Sequence, residues 1–216
     1  MKTYSVIGDS ISTFQGWIPS YCECAYPSDI RGDVKQVTQT WWHILGEKML
    51  WKLEVNQSYS GSRVTETGPR PIWSSCKSDR RLSDLGNPDY ILIMAGTNDF
   101  GQELDLPSLE LFQDSYRELL GSLKERFPEA IVYCMTPLQR TIEALDWKNS
   151  MNWTQLDLAD AVRKAAAEYG DFVIDLAAFP ISAGDGYLAD GLHPSAKGMA
   201  LVASLAEKAI RQSMEG

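Results

Sequence analysis

The chain has 216 residues, 44% hydrophobic and 23% charged, which is the composition of an ordinary globular protein. That length suits one α/β domain with a full core, spanning 1–216, and nothing in the sequence marks a second. A net charge of −9 argues against a nucleic-acid partner, which needs a basic face, and no stretch is long and apolar enough for a membrane span.

Met1-Lys2-Thr3 leads straight into an apolar run and leaves no room for a signal peptide. The expectation is a cytoplasmic protein, unless a leader peptide has been removed. Cys22, Cys24, Cys76 and Cys134 lack paired C-x-x-C spacing, so reduced thiols are expected rather than a zinc site.

Residues 3–7, β-branched and aromatic, read as a first strand, and Gly8-Asp9-Ser10-Ile11 follow at its exit. A serine there is a candidate nucleophile rather than a buried residue. A helix is expected over 39–50, where His43 is explained by an i,i+4 pair with Glu47. Further strands are expected at 52–56, 89–95, 130–135 and 171–176, and Tyr90-Ile91-Leu92-Ile93-Met94 has the continuous apolar character of a strand covered on both faces. Between them, Leu109, Phe112, Tyr116, Leu119, Leu120 and Leu123 follow helical spacing, with Pro107 placed for a first turn and Phe127-Pro128 as the stop. Leu158, Val162, Ala165 and Tyr169 mark another helix, capped by Gly170. A last helix opens at Pro194 and buries Leu201, Val202, Leu205, Ala209 and Ile210. Strands alternating with helices predict right-handed crossovers and an α/β fold, a three-layer α/β/α sandwich around a five-stranded parallel sheet.

In such folds the loops beyond the carboxyl ends of the strands build the site. Here the loops 12–36, 57–78, 96–106 and 136–152 are long. Ser10 follows the first strand, Gly61 the second, Asn98 the third, and Asp190 and His193 the fifth. A serine hydroxyl needs a base during attack, and the chain has 2 histidines. His193, in Asp190-Gly191-Leu192-His193, can take the Ser10 proton while Asp190 holds its other ring nitrogen. Alternatively, Asp190 caps the helix at Pro194 and His193 is a surface residue. The glycine in Tyr59-Ser60-Gly61-Ser62 and the amide in Gly96-Thr97-Asn98-Asp99 are suited to bind an oxyanion, although each segment also suits a plain turn.

Together, Gly8-Asp9-Ser10, Asn56 through Gly61, Gly96-Thr97-Asn98-Asp99 and Asp190 through His193 resemble the ordered blocks of the SGNH hydrolases, the GDSL esterase/lipase family. Ile11 stands where the family name has leucine, and the second block is the loosest match, so Ser60 or Ser62 are alternatives to Gly61. The resemblance implies the flavodoxin-like sheet of that family and a serine hydrolase with Ser10 as nucleophile, His193 as base and Asp190 as its partner. It also implies an oxyanion hole from the Ser10 and Gly61 N–H groups and the Asn98 side chain. No metal or organic cofactor is called for.

Trp17, Tyr21, Trp73, Trp147 and Trp153 fall in or beside the rim loops, near Arg63, Arg70 and Arg140. Aromatic faces suit sugar rings, so the expected reaction is removal of O-acetyl groups from a small-molecule or oligosaccharide ester. Asp9, Trp17 and Trp73 are the candidate substrate contacts. The same tryptophans can instead anchor loops. Lysophospholipase and thioesterase activities stay open, and the more distant readings are a non-catalytic flavin-binding or carbohydrate-binding module. A phosphate-accepting signalling domain is disfavoured, because Asn98 stands where its aspartate would be.

Overall fold

The computed structural model describes residues 1–102 and 104–215. Strands β1 (Thr3–Gly8), β2 (Lys52–Ser58), β3 (Tyr90–Met94), β4 (Ile131–Met135) and β5 (Phe172–Ile174) form one parallel sheet in the order β2-β1-β3-β4-β5. The helices are α1 (Trp41–Met49), α2 (Asp79–Ser83), α3 (Thr97–Gly101), α4 (Leu109–Arg126), α5 (Gln155–Tyr169) and α6 (Ala196–Glu215).

The two-residue period of the strands divides the core. Tyr4, Val6, Leu92, Met94, Tyr133 and Met135 face α1 and α6, where they meet Trp41, Trp42, Leu45, Met199, Val202 and Ala206. Ile7, Ile91, Ile93, Val132 and Cys134 face the other way, onto Phe112, Leu119, Leu123, Leu158 and Val162 of α4 and α5. This is the expected three-layer sandwich. From β1 the chain runs out to β2 and then returns to β3 on the opposite side of β1. The connections therefore diverge above β1 and β3, which opens a crevice at the carboxyl ends of those two strands.

Several boundaries differ from the sequence reading for local reasons. Helix α4 begins after Ser108, whose hydroxyl accepts the Leu111 N–H at 3.1 Å, so Pro107 precedes the cap instead of entering the first turn. Helix α6 begins at Ala196, not Pro194; Asp33 Oδ1 accepts the Ala196 N–H at 2.7 Å and Ser195 Oγ that of Gly198 at 3.2 Å. Its fully buried stripe is Met199, Val202, Ala203, Ala206 and Ile210, with Leu201, Leu205 and Ala209 on the flank. Helix α1 is shorter than 39–50, because 37–39 form a separate 3-10 turn and Leu50 takes a left-handed C-cap conformation. His43 packs against Trp17 and Trp42, and among the described residues it has no ion pair with Glu47. The four cysteines are free thiols, with Cys76 and Cys134 buried. No described helix is long and apolar enough to cross a membrane.

Arg81 of α2 is wholly buried beneath the carboxyl ends of β1 and β2. Its guanidinium donates to the carbonyls of Gly8 at 2.7 Å, Gln57 at 3.0 Å and Ser74 at 2.7 Å, and to the Ser62 hydroxyl at 3.0 Å. The cation is satisfied by carbonyl dipoles instead of a salt bridge. Replacing it takes a donor from several buried acceptors at once, at about 1–3 kcal/mol for each one left unpaired, although the Gly8 carbonyl keeps the Tyr59 N–H. Arg81→Met is therefore predicted to lower the unfolding free energy by about 3 kcal/mol or more in urea titrations. A loss below about 1 kcal/mol would remove Arg81 from this structural role.

Candidate active site

Ser10 opens a 3-10 turn, Ser10–Ser12, directly behind β1. Asp9 caps that turn by accepting the Ile11 N–H at 3.0 Å. The far end is pinned at the Ser12 carbonyl, which accepts from the Trp42 indole and the Asn56 amide, each at 2.8 Å. Ser10 is 5% exposed, a more enclosed position than the end of a strand suggests. Asp9 is 1% exposed and points into the turn; burial pushes its carboxyl up to about 7, against the opposing effects of the Ile11 N–H and the Arg81 charge.

The segment after β5 brings the imidazole to this turn. His193 Nε2 lies 3.0 Å from Ser10 Oγ, and His193 Nδ1 lies 2.8 Å from Asp190 Oδ2. The other Asp190 oxygen accepts the backbone N–H of His193 at 2.7 Å and of Leu192 at 3.0 Å. One carboxylate thus shapes the loop and orients the ring that the loop carries. It does not cap α6, whose first N–H groups are served by Asp33 and Ser195. Tyr26 meets the imidazole edge-on at 6.2 Å and donates its hydroxyl to the Pro194 carbonyl at 2.9 Å.

Burial works against charge on both members of the pair. For Asp190 the bonds from His193 and Leu192 outweigh burial, and the carboxyl is held below the usual range. For His193 burial prevails over the attraction of Asp190, helped by the positive charges of Arg31 and Arg140, so its pKa lies below the ordinary 6.5. A neutral imidazole beside an ionised carboxylate is the protonation state a general base requires near pH 7.

Across the crevice, Gly61 has φ +80°, and a Cβ there would sit 2.7 Å from Arg70 Nε. A side chain at this position would be strained and would displace Arg70. The loop is tied back to β1, because Tyr59 donates its N–H to the Gly8 carbonyl at 3.1 Å. Asn98 of α3 donates its side-chain amide to the Ser62 carbonyl at 2.9 Å, which leaves the amide's second N–H for a ligand. Asp99, the next residue, accepts the N–H groups of Val64 at 2.9 Å and Thr65 at 3.0 Å and the Thr65 hydroxyl at 2.8 Å. Burial raises the Asp99 carboxyl to about 6, although these bonds and Arg63 oppose the rise. Asp99 therefore joins the Gly61 loop to the helix that carries Asn98.

The rim residues fall into different places. Trp17 packs over Trp42 and His43 on α1. Trp73 stands edge-on to Tyr21 and Tyr59, with Arg80 stacked 4.3 Å from its ring. Trp153 is buried and donates to the Pro107 carbonyl at 3.2 Å, a loop anchor, while Trp147 is partly exposed against Phe100. Arg63 is spent on the carbonyls of Gln102, Leu104 and Asp105, and Arg70 pairs with Glu23 at 2.5 Å. Arg140 is buried and pairs with Glu143 at 2.8 Å. Sequence reasoning did not single out Asp99, Arg81, Tyr26 or Arg31. Asp99 had a signal, since it follows Asn98 in the same short segment; the others lie in segments with no distinguishing pattern.

With this geometry in view, the chain can be set beside known proteins. The family model described as GDSL-like Lipase/Acylhydrolase matches residues 2–210. A Bacteroides ovatus protein assigned as a GDSL-like lipase superposes with a TM-score of 0.75 at 26% identity, covering 98% of this chain and 99% of that one. A Bacteroides uniformis protein of the same assignment gives 0.74 at 29% identity, covering 98% and 96%. A Corynascus thermopiles (Myceliophthora fergusii) carbohydrate esterase family 2 enzyme with a carbohydrate binding domain shares the fold at 0.68 and 16% identity, over 100% of this chain and 67% of that one. Against curated protein sequences the chain has no match. The match along nearly its whole length places the chain in the GDSL-like lipase/acylhydrolase family, whose members hydrolyse ester bonds.

Proposed function

We propose that the chain acts as a single serine esterase domain that works through an acyl-enzyme and removes O-acetyl groups from a carbohydrate. The observation that carries the reading is the relay from Ser10 Oγ to His193 Nε2 at 3.0 Å and from His193 Nδ1 to Asp190 at 2.8 Å. Ser10 Oγ forms a bond to the ester carbonyl carbon as its proton passes to His193 Nε2. The oxyanion is held by the Ser10 and Gly61 backbone N–H groups and by the free N–H of the Asn98 amide. As the intermediate collapses, the carbon–oxygen bond to the alcohol breaks and the alcohol takes the proton from His193. Water then repeats the sequence on the acyl-serine and releases acetate. Asp190 remains ionised throughout, holding one tautomer and stabilising the imidazolium.

A small acyl group is in keeping with the enclosure of Ser10, which is 5% exposed. A sugar alcohol is supported by the partly exposed aromatics on the rim. Trp73 stands beside the Gly61 loop through Tyr59, whereas Asp9 and Trp17 are engaged in holding the turn and α1. The deciding comparison is a panel of acetylated saccharides against medium- and long-chain acyl esters and thioesters. Faster turnover of acetylated saccharides is expected, and faster turnover of the long chains would assign the site to a lysophospholipase instead.

Two further outcomes test the chemistry. A fluorophosphonate should label Ser10 as located by peptide mapping, with no label in Ser10→Ala and strongly slowed labelling in His193→Ala; label on another serine would mean a different nucleophile. The pH dependence follows from the lowered His193 pKa. The neutral imidazole is the active form, so the acid limb of kcat/KM should be centred below pH 6.5. An acid limb centred above 6.5 would contradict the state derived for this ring.

A further inference from the structure

The segment 26–33 folds over the segment that carries the imidazole and is fixed to it at three points. Tyr26 donates to the Pro194 carbonyl at 2.9 Å, and Asp33 accepts the Ala196 N–H at 2.7 Å. Between them Gly32 lies so close that a Cβ would come within 2.8 Å of the Ala189 methyl. Arg31 sits between these tethers. It is half-buried, and among the described residues it is the one arginine with no hydrogen bond, ion pair or aromatic face to receive it. The neighbouring carboxylates are already engaged, Asp29 by Lys35 at 2.7 Å and Asp33 by the start of α6. The Arg31 charge nevertheless reaches both Tyr26 and His193.

A guanidinium with no partner among the described residues, on a segment tethered to the one that carries the imidazole and in a chain of net charge −9, is free to meet a ligand. Its forked donors match a carboxylate or a phosphate in two-point contact. The other cation near His193, Arg140, is buried and already bound to Glu143, so it is not free for a ligand.

We infer that Arg31 is a substrate-recognition residue that binds an anionic group, a carboxylate on the alcohol side of the ester, so that the preferred substrate is an acetylated saccharide bearing an acid. The inference refines the sugar-ester reading and rests on it for the saccharide, though not for the anion. Arg31 recognises the substrate without touching the reacting atoms, and its effect should fall mainly on KM.

Two substrate pairs separate these parts. The first is phenyl acetate against 3- and 4-acetoxybenzoate, which differ by a carboxylate and contain no sugar. The second is an acetylated hexose against the corresponding acetylated uronic acid. Each is measured with the wild type, Arg31→Gln and Arg31→Lys. The expected result is a wild-type preference for the acid in both pairs. Arg31→Gln should lower kcat/KM for the acids by about tenfold or more, through KM, since a charge-assisted hydrogen bond contributes about 1.5–3 kcal/mol. The neutral partners should change less than about twofold, and Arg31→Lys should restore part of the preference. Equal losses on neutral and acidic substrates, or no loss on either, would overturn the inference. If both sugars are inert while the acetoxybenzoates still depend on Arg31, anion recognition stands and the saccharide reading fails.

Discussion

The site depends on a buried cation that has no anion bonded to it. The ladder between β1 and β2 runs out where the strands stop, its last bond being the Tyr59 N–H on the Gly8 carbonyl, and the carbonyls there keep lone pairs for another donor. Arg81 fills that gap, collecting the carbonyls of Gly8 and Gln57, the Ser74 carbonyl and the Ser62 hydroxyl. Gly8 is two residues before Ser10, and Ser62 is the residue after Gly61. One planar group therefore fixes the spacing between the strand that delivers Ser10 and the loop that faces it. A guanidinium suits this because its five donors are fixed in one plane, whereas a lysine supplies three donors at a single point.

From that anchor the remaining parts are joined in pairs by polar side chains. Asn98 reaches the Ser62 carbonyl and Asp99 the N–H groups of Val64 and Thr65, so α3 and the Gly61 loop are tied together. On the far side, Thr141 donates its N–H to the Gly191 carbonyl at 2.8 Å while Arg140 reaches the Thr97 carbonyl at 3.4 Å. The 140–143 turn thereby links the loop that carries the imidazole to the helix that carries the amide. Each group of the proposed relay and oxyanion hole is thus held by a neighbour outside it. Such preorganisation lets a hydroxyl, a ring and an amide act together without reorganising during the reaction.

The layered fold is legible in the sequence because it rests on periodicity. The continuous apolar run of β3 suits a strand covered on both faces, the stripe of α4 suits a helix with one buried side, and both stand where the sequence places them. The short helices α2 and α3 are not legible, since five residues are too few to display a 3.6-residue period. The residues of the relay stand out for a different reason, the scarcity of bases and the order of polar residues at strand ends. Arg81 does not, because Arg80 and Arg81 look alike in the sequence. Arg80 stacks on Tyr21 and Trp73 near the surface, while Arg81 turns inward, and that difference is set by which side of a single short helix each one occupies. The start of α6 is hidden for a related reason: its caps include Asp33, a residue remote in sequence that no local pattern can supply.

The electrostatics of the imidazole show why enclosure and charge must be considered together. Burial alone would discourage charge on the ring, which in the proposed mechanism is useful before attack and costly after it, when the ring holds the serine proton. Asp190 offsets that cost at the moment it arises, because its attraction acts on the protonated form. Arg31 and Arg140 act in the opposite sense, keeping the resting ring neutral. An anionic substrate that occupied Arg31 would cancel part of this repulsion and make the proton easier to accept once the ester is bound. Substrate charge and base strength would then be coupled through a single guanidinium: the ring would be a weaker base in the empty site and a stronger one beside its proper ligand.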